Sequence, residues 1–178
     1  MILLIDKVLE KTQNVWRKAL IKKKSLACAD DVKVYGKIYL INRNITIGKN
    51  VKIFPGVMFF GDGPIILGDN VSIGNNTMIY ASKNGGVTIG DNTSIAAMSY
   101  IIDCDHGVKA GTMIKQQNNI CSPINIGTDV WIAANCCILK GANISDGAVV
   151  GAKALVKGNI ETNSIVVGIP AKEIKKRR

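Results

Sequence analysis

The chain holds a single histidine, His106, in the stretch YIIDCDHGVKAG. A neutral imidazole takes a proton readily near neutral pH, so His106 is the candidate general base for an attacking hydroxyl or amine. Backbone N–H groups of an adjoining loop would be the natural partners for an oxyanion formed in such a reaction. Asp103 and Asp105 stand beside it and are candidates for orienting the ring, with a structural pairing of Asp105 and Lys83 as the alternative. Zinc chemistry of the three-histidine kind needs two more imidazoles than the chain has. The five cysteines, Cys28, Cys104, Cys121, Cys136 and Cys137, are odd in number and show no C-x-x-C spacing. They indicate neither a disulfide framework nor a zinc knuckle, and they fit a reducing compartment. No metal is expected.

What must position His106 is a rhythm of six. From Ile41 onward an aliphatic residue recurs at every sixth position: Ile41, Ile47, Ile53; Leu67, Ile73, Ile79; Ile89, Ile95, Ile101; Ile126, Ile132, Ile138; Ile144, Val150, Val156. Six matches neither the 3.6 of a helix nor the alternation of a long strand. It matches a chain that makes a short strand, turns a corner and repeats, with three hexads to each triangular coil and coils stacked at strand spacing of about 4.8 Å. Interruptions fall at residues 59–66, 85–88 and 107–125, so each block is a multiple of three hexads and every excursion leaves from one edge. His106 is the last residue of the third hexad in its coil, and Asn84 holds the same seat one coil earlier. Lys83 and Asp105 also share a seat, and there polar residues displace the small residue that the repeat prefers. Such local inconsistency marks a site. The longest excursion, GVKAGTMIKQQNNICSPIN, begins immediately after His106.

Composition agrees with a β-rich globular chain. The 178 residues are 47% hydrophobic and 20% charged, with aromatics at 5%, so small branched side chains must build the core. The net charge of +10 sits at the ends: residues 1–24 carry seven Lys/Arg against two acids, and residues 172–178 carry five against one. A nucleic-acid groove would spread its charge over the folded body, so no nucleic-acid partner is expected. No apolar run approaches the roughly 20 residues of a membrane span. The start MILLIDKVLEKTQ lacks a cleavage site, so the chain is read as cytoplasmic. Three regions are expected: a helical cap at 1–30 with Ile5, Leu9, Trp16 and Leu20 on its apolar side, a repeat domain at 31–167 with a protruding loop at 107–125, and a basic tail at 168–178 leaving the coil at Gly168 and Pro170. The cap closes the open end of the solenoid. Peripheral attachment of this basic segment to a membrane surface is the alternative.

The hexads, the segment PINIGTDVWIAANCCILKGANISDGAVVGAKALV and the exit VVGIPAKEIKK resemble the hexapeptide-repeat acyltransferases, above all sugar O-acetyltransferases of the galactoside, maltose and polysaccharide type. The likeness covers roughly residues 41–175. It implies an all-β fold, a left-handed parallel β-helix, a homotrimer with sites between subunits, and acetyl-CoA as acyl donor. It also implies His106 as general base, Pro123 closing the loop, and acceptor contacts at Asn76, Asn84 and Trp131. The donor would run along Ala134 and Ala152 to basic residues at Lys172 and Lys175, with Lys157 where the family carries a threonine-lysine pair. The second acceptor seat is often a carboxylate in sugar acetyltransferases, and here it is Asn84. Read without the family, Asn76 and Asn84 are equally corner residues, since Asn tolerates left-handed geometry. Trp131 equally packs against a neighbouring subunit. The expected reaction is acetyl transfer to a sugar hydroxyl of a surface polysaccharide or its precursor, so the acceptor partner is a small molecule or glycan. The alternatives are N-acylation of an aminosugar nucleotide and a non-catalytic scaffold.

Overall fold

The computed structural model describes residue 13 and residues 15–178, so Ile5 and Leu9 of the expected cap lie outside the described residues. Helical residues 15–24 lead in, and of their apolar side chains Ile21 enters the core at 1% exposure while Trp16 stays 67% exposed. The helix stops at Ser25, whose N–H and hydroxyl both bond the Ile21 carbonyl, at 2.9 and 2.6 Å.

Beyond it the chain winds as a left-handed parallel β-helix with three flat faces. The first face has seven strands: Ala27–Cys28, Ile45–Ile47, Ile65–Leu67, Val87–Ile89, Ile124–Ile126, Asn143–Ile144 and Asn159–Ile160. The second runs Lys33–Val34, Lys52–Ile53, Ser72–Ile73, Ser94–Ile95, Trp131–Ile132, Val149–Val150 and Ser164–Val167. The third has six strands: Tyr39–Leu40, Met58–Gly61, Met78–Ala81, Tyr100–Ile102, Cys137–Ile138 and Leu155–Val156. Strict parallel register puts every inward side chain over its equivalent. Leu67, Ile89 and Ile126 stack on the first face, Ile73, Ile95 and Ile132 on the second, and Ile79, Ile101 and Ile138 on the third. All are at most 2% exposed. Each buried aliphatic side chain contributes about 1.5–3 kcal/mol, so the axial ladders supply the main stabilisation.

The first block is out of phase with the reading of the sequence. Ile41 is 59% exposed, and the first coil closes with Ile47, Ile53 and Phe59 inward. Tyr39–Leu40 pairs with Met58–Phe59, so Ile41 falls just past the strand. The interior there belongs to Asn42, fully buried, whose amide donates to the Phe60 and Gly63 carbonyls at 3.1 and 2.9 Å. An aliphatic at the sixth position does not distinguish inside from outside where a corner is rebuilt around a polar side chain.

The tail also differs from a free end. After crossing at 168–171 it returns as the strand Lys172–Lys176, antiparallel to Ser164–Val167 on the second face. Among the described residues no helix is long and apolar enough to cross a membrane.

Candidate active site

The excursion after the third face is an arm. Its root is a two-stranded antiparallel ribbon, Cys104–Asp105 against Ile120–Cys121, and its far part carries a single 3-10 turn at Ile114–Gln116. Gln117 fastens it internally: its Oε1 accepts the Lys109 N–H at 2.8 Å, and its Nε2 donates to the Lys109 and Thr112 carbonyls at 2.9 and 2.8 Å. Gly107 is required beside His106, because a Cβ there would sit 2.8 Å from the Gln117 side chain and 2.9 Å from the Asn118 carbonyl.

His106 is exposed and lines an open groove of about 790 Å³ between the arm and the third face. Tyr80, Tyr100, Ile102 and Leu139 form its floor, Val108, Asn119 and Ile120 its arm side, and Lys140 and Asp105 its charged rim. Burial is the main reason both phenols titrate above the ordinary tyrosine range, followed by the Cys104 thiol beside each. Both therefore stay protonated near neutral pH and can donate to a polyhydroxylated ligand. Burial, then the Asp103 charge, pushes the Cys104 thiol up to about 11, so it is no thiolate nucleophile.

Neither flanking aspartate meets the imidazole. Asp103 is buried and hydrogen-bonds Ser82 and Gly86, while Asp105 pairs with Lys140 at 3.5 Å. The expected Lys83–Asp105 pairing is replaced by this one, because Asp105 leaves its coil to join the ribbon and meets the coil above. Among the described residues no group of three or more His, Cys, Asp or Glu side chains is placed to hold a metal.

The remaining candidates divide between edges and faces. Asn84 lies at the exposed tip of a turn that Gly85 closes by donating its N–H to the Ser82 carbonyl at 3.0 Å, on the edge from which the arm departs. Lys157, also exposed, follows the last strand of the third face toward that edge. Asn76, Ala134 and Ala152 lie on the opposite edge of the third face. There Asn76 adopts φ 56° as a corner residue, and the Ala134 carbonyl takes the Lys153 N–H at 2.9 Å. The tail crosses above them, with Ala171 N–H bonded to the Leu155 carbonyl at 2.8 Å.

Trp131, Lys172 and Lys175 lie on the second face, away from the His106 groove. Trp131 is 54% exposed beside Arg177, which binds Asp129 at 3.0 Å and the Gly147 carbonyl at 2.8 Å. Lys175 lines a basic hollow of about 700 Å³ with Lys176, Arg177 and Arg178. Tyr80, Tyr100 and Lys140 escaped the reading of the sequence. The signal was present for the tyrosines: in a chain poor in aromatics, they flank the inward Ile79 and Ile101 at outward positions of one face.

No family model matches the chain. A Mycobacterium tuberculosis acetyltransferase is 39% identical over 118 residues, 66% of this chain but only 39% of that protein. WbbJ of Escherichia coli K12, named for O-acetyl transfer in lipopolysaccharide biosynthesis, is 35% identical over 143 residues, covering 75% of this chain and 72% of its own. Among solved structures, a variant of the Bacillus cereus N-acyltransferase AntD in complex with dTDP and coenzyme A superposes with a TM-score of 0.80 at 23% identity, covering 90% of this chain and 89% of that one. By this similarity and its coiled fold, the chain belongs to the hexapeptide-repeat acyltransferase family.

Proposed function

We propose that the protein transfers an acetyl group from acetyl-CoA to a sugar hydroxyl of a surface polysaccharide or its precursor, with His106 as general base. The observation that carries this reading is the placement of the sole histidine: exposed, at the root of the arm, in a groove floored by two protonated tyrosines. The acceptor oxygen attacks the thioester carbonyl as His106 takes its proton, and collapse of the tetrahedral intermediate expels the CoA thiolate, which recovers that proton. The tyrosine floor suits a sugar ring, and Asn84 stands on the turn of the coil below, at the edge from which the arm departs. On this reading the donor lies along the third face between the Ala134 and Ala152 edge and Lys157. Its phosphates meet the basic hollow that includes Lys175, with Lys172 close by in the same strand. Lys176 and Arg177 are held in ion pairs with Glu161, Glu173 and Asp129, which leaves Lys172 and Lys175 for a polyanion.

A groove open on one side calls for a second wall, and a homotrimer acting in the cytoplasm supplies it by setting a neighbouring subunit against the third face. Val108, Met113, Ile114 and Ile120 on the arm, each more than half exposed, would pack there, as would Trp131 on the second face. Light scattering should give about three times 19.1 kDa.

The fold likeness to an N-acyltransferase keeps an aminosugar nucleotide as the second reading of the acceptor, since the same base serves an amine. A panel of hydroxyl and amine acceptors with acetyl-CoA, followed by thiol release, separates the two. His106→Ala should lower single-turnover transfer by about 10²–10⁴-fold while coenzyme A still binds. A rate within about threefold of wild type overturns the assignment.

A further inference from the structure

We propose that Asp103 is the positioning residue of this site: its buried carboxylate holds the turn carrying Asn84 against the root of the arm carrying His106. The catalytic part rests on the reading of His106 as base; the contacts stand independently of it.

Asp103 is 0% exposed. A carboxylate removed from water is costly unless donors fill its oxygens, and here one turn supplies them. The Ser82 N–H lies 2.9 Å from Oδ1 and 2.8 Å from Oδ2, the Ser82 hydroxyl donates to Oδ2 at 3.0 Å, and the Gly86 N–H donates to Oδ2 at 2.6 Å. The backbone of Asp103 binds the returning strand of the arm, its carbonyl accepting the Ser122 N–H at 2.9 Å. The Gly86 carbonyl accepts the Ile124 N–H at 2.9 Å, just past the arm's end. One residue thereby joins the outgoing root, the returning root and the turn of the coil below.

Elsewhere on this edge a backbone rung does the joining, as where Asp62 donates its N–H to the Ala81 carbonyl at 3.1 Å. Where the chain leaves for the arm, the carboxylate takes over that rung. The turn is shaped around it: a Cβ on Gly85 would lie 2.2 Å from Oδ2 and 2.9 Å from the Ser82 hydroxyl. Lys83 and Asn84 stand at the tip of the same turn, and His106 follows Asp103 by three residues. The clamp therefore sets the spacing between the acceptor side and the base, and a displacement of about 1 Å in such a spacing costs on the order of 10²-fold in rate.

Asp103→Asn keeps the shape but turns an NH2 group toward N–H donors, and Ser82→Ala deletes one bond of the clamp. Because His106 is the only histidine, its ring Cε1–H gives one NMR resonance that reports its position whether or not it catalyses. At a temperature where circular dichroism shows each variant folded, Asp103→Asn should lower kcat by about 10–100-fold and Ser82→Ala by about 3–10-fold, with coenzyme A affinity within about twofold. The histidine resonance should broaden or split in Asp103→Asn. If that variant does not fold, Ser82→Ala carries the same test with the same readouts. Turnover within about twofold and an unchanged resonance in the folded variant overturn the proposal. So does a loss in which coenzyme A binding falls in step with kcat. A perturbed resonance together with full activity would sink the role of His106 as base while leaving the clamp standing.

Discussion

At the corner between the first and second faces, Asn50, Asn70 and Asn92 recur coil after coil at φ 51–59°, their amides linked in a ladder at 2.9 and 3.0 Å. At the corner between the third and first faces no such ladder runs. Gly61, Gly86, Gly141 and Gly158 take the positive φ there, and between them the chain makes a short loop, the 82–86 turn and the whole arm. Both corners must turn the same backbone between the same kind of buried ladders. The first does so by repetition, which stabilises and leaves nothing free. The second gives up repetition, and there the exposed histidine, the buried aspartate and the Lys140–Asp105 pair gather. A solenoid thus separates stability from function by edge, because each coil needs only its neighbours and one edge can vary while the ladders persist.

The sharpest way to break that separation is a pair of substitutions five residues apart. His106→Ala should cost about 10²–10⁴-fold in activity yet leave the unfolding free energy within about 0.5 kcal/mol of wild type, as expected of an exposed side chain. Ile101→Ala, on the axial ladder at 0% exposure, should do the opposite, lowering stability by about 2–5 kcal/mol through the cavity it leaves. If the two effects trade places in chemical denaturation and turnover assays, the separation fails.

A smaller effect sharpens the account of the repetitive corner. Asn70→Ala removes both of its ladder bonds and leaves a Cβ-bearing residue at φ 59° without the compensating amide, a loss of about 1–2 kcal/mol in denaturant melts. Turnover should not change. A loss of turnover without a loss of stability would place chemistry at the wrong edge.

The tail offers a finer test. Truncating residues 172–178 would bare the edge of Ser164–Val167, so Lys175→Ala is the cleaner change. It should weaken coenzyme A binding severalfold and flatten its salt dependence, with kcat at saturating donor little altered. Unchanged affinity would make the basic hollow a solvated surface.

The smallest effect concerns Cys104. With its thiol raised to about 11 from 9.0, it should resist alkylation at pH 8 and become reactive only toward pH 11, read by mass spectrometry against the other cysteines. The sign of the linked stability follows. Between those values the folded form holds a proton that the unfolded form has lost, so stability should fall as pH climbs from about 9 to 11.

Much of this architecture was readable from spacing alone. Ile89, Ile95 and Ile101 at six-residue intervals imply a three-sided coil, because only inward positions exclude polar residues and each face contributes one per coil. The edge position of His106 followed from the same count. Spacing could not say which polar residues meet. Asp103 and Asp105 are two apart in sequence, yet one is buried under the coil and the other pairs with Lys140, because the chain leaves the solenoid between them. Ile41 kept the period and still lies outside, since Asn42 had already claimed the interior at that corner. Lys172–Lys176 reads as a charged end, and only the open edge of the last parallel strand made it a strand. Periodic burial is a local property that each hexad carries within itself, so the sequence by itself determined the prism. The partners of Asp103, Asp105 and the tail depend on which backbone groups the finished coils leave unpaired, and that is decided only once the coils are stacked.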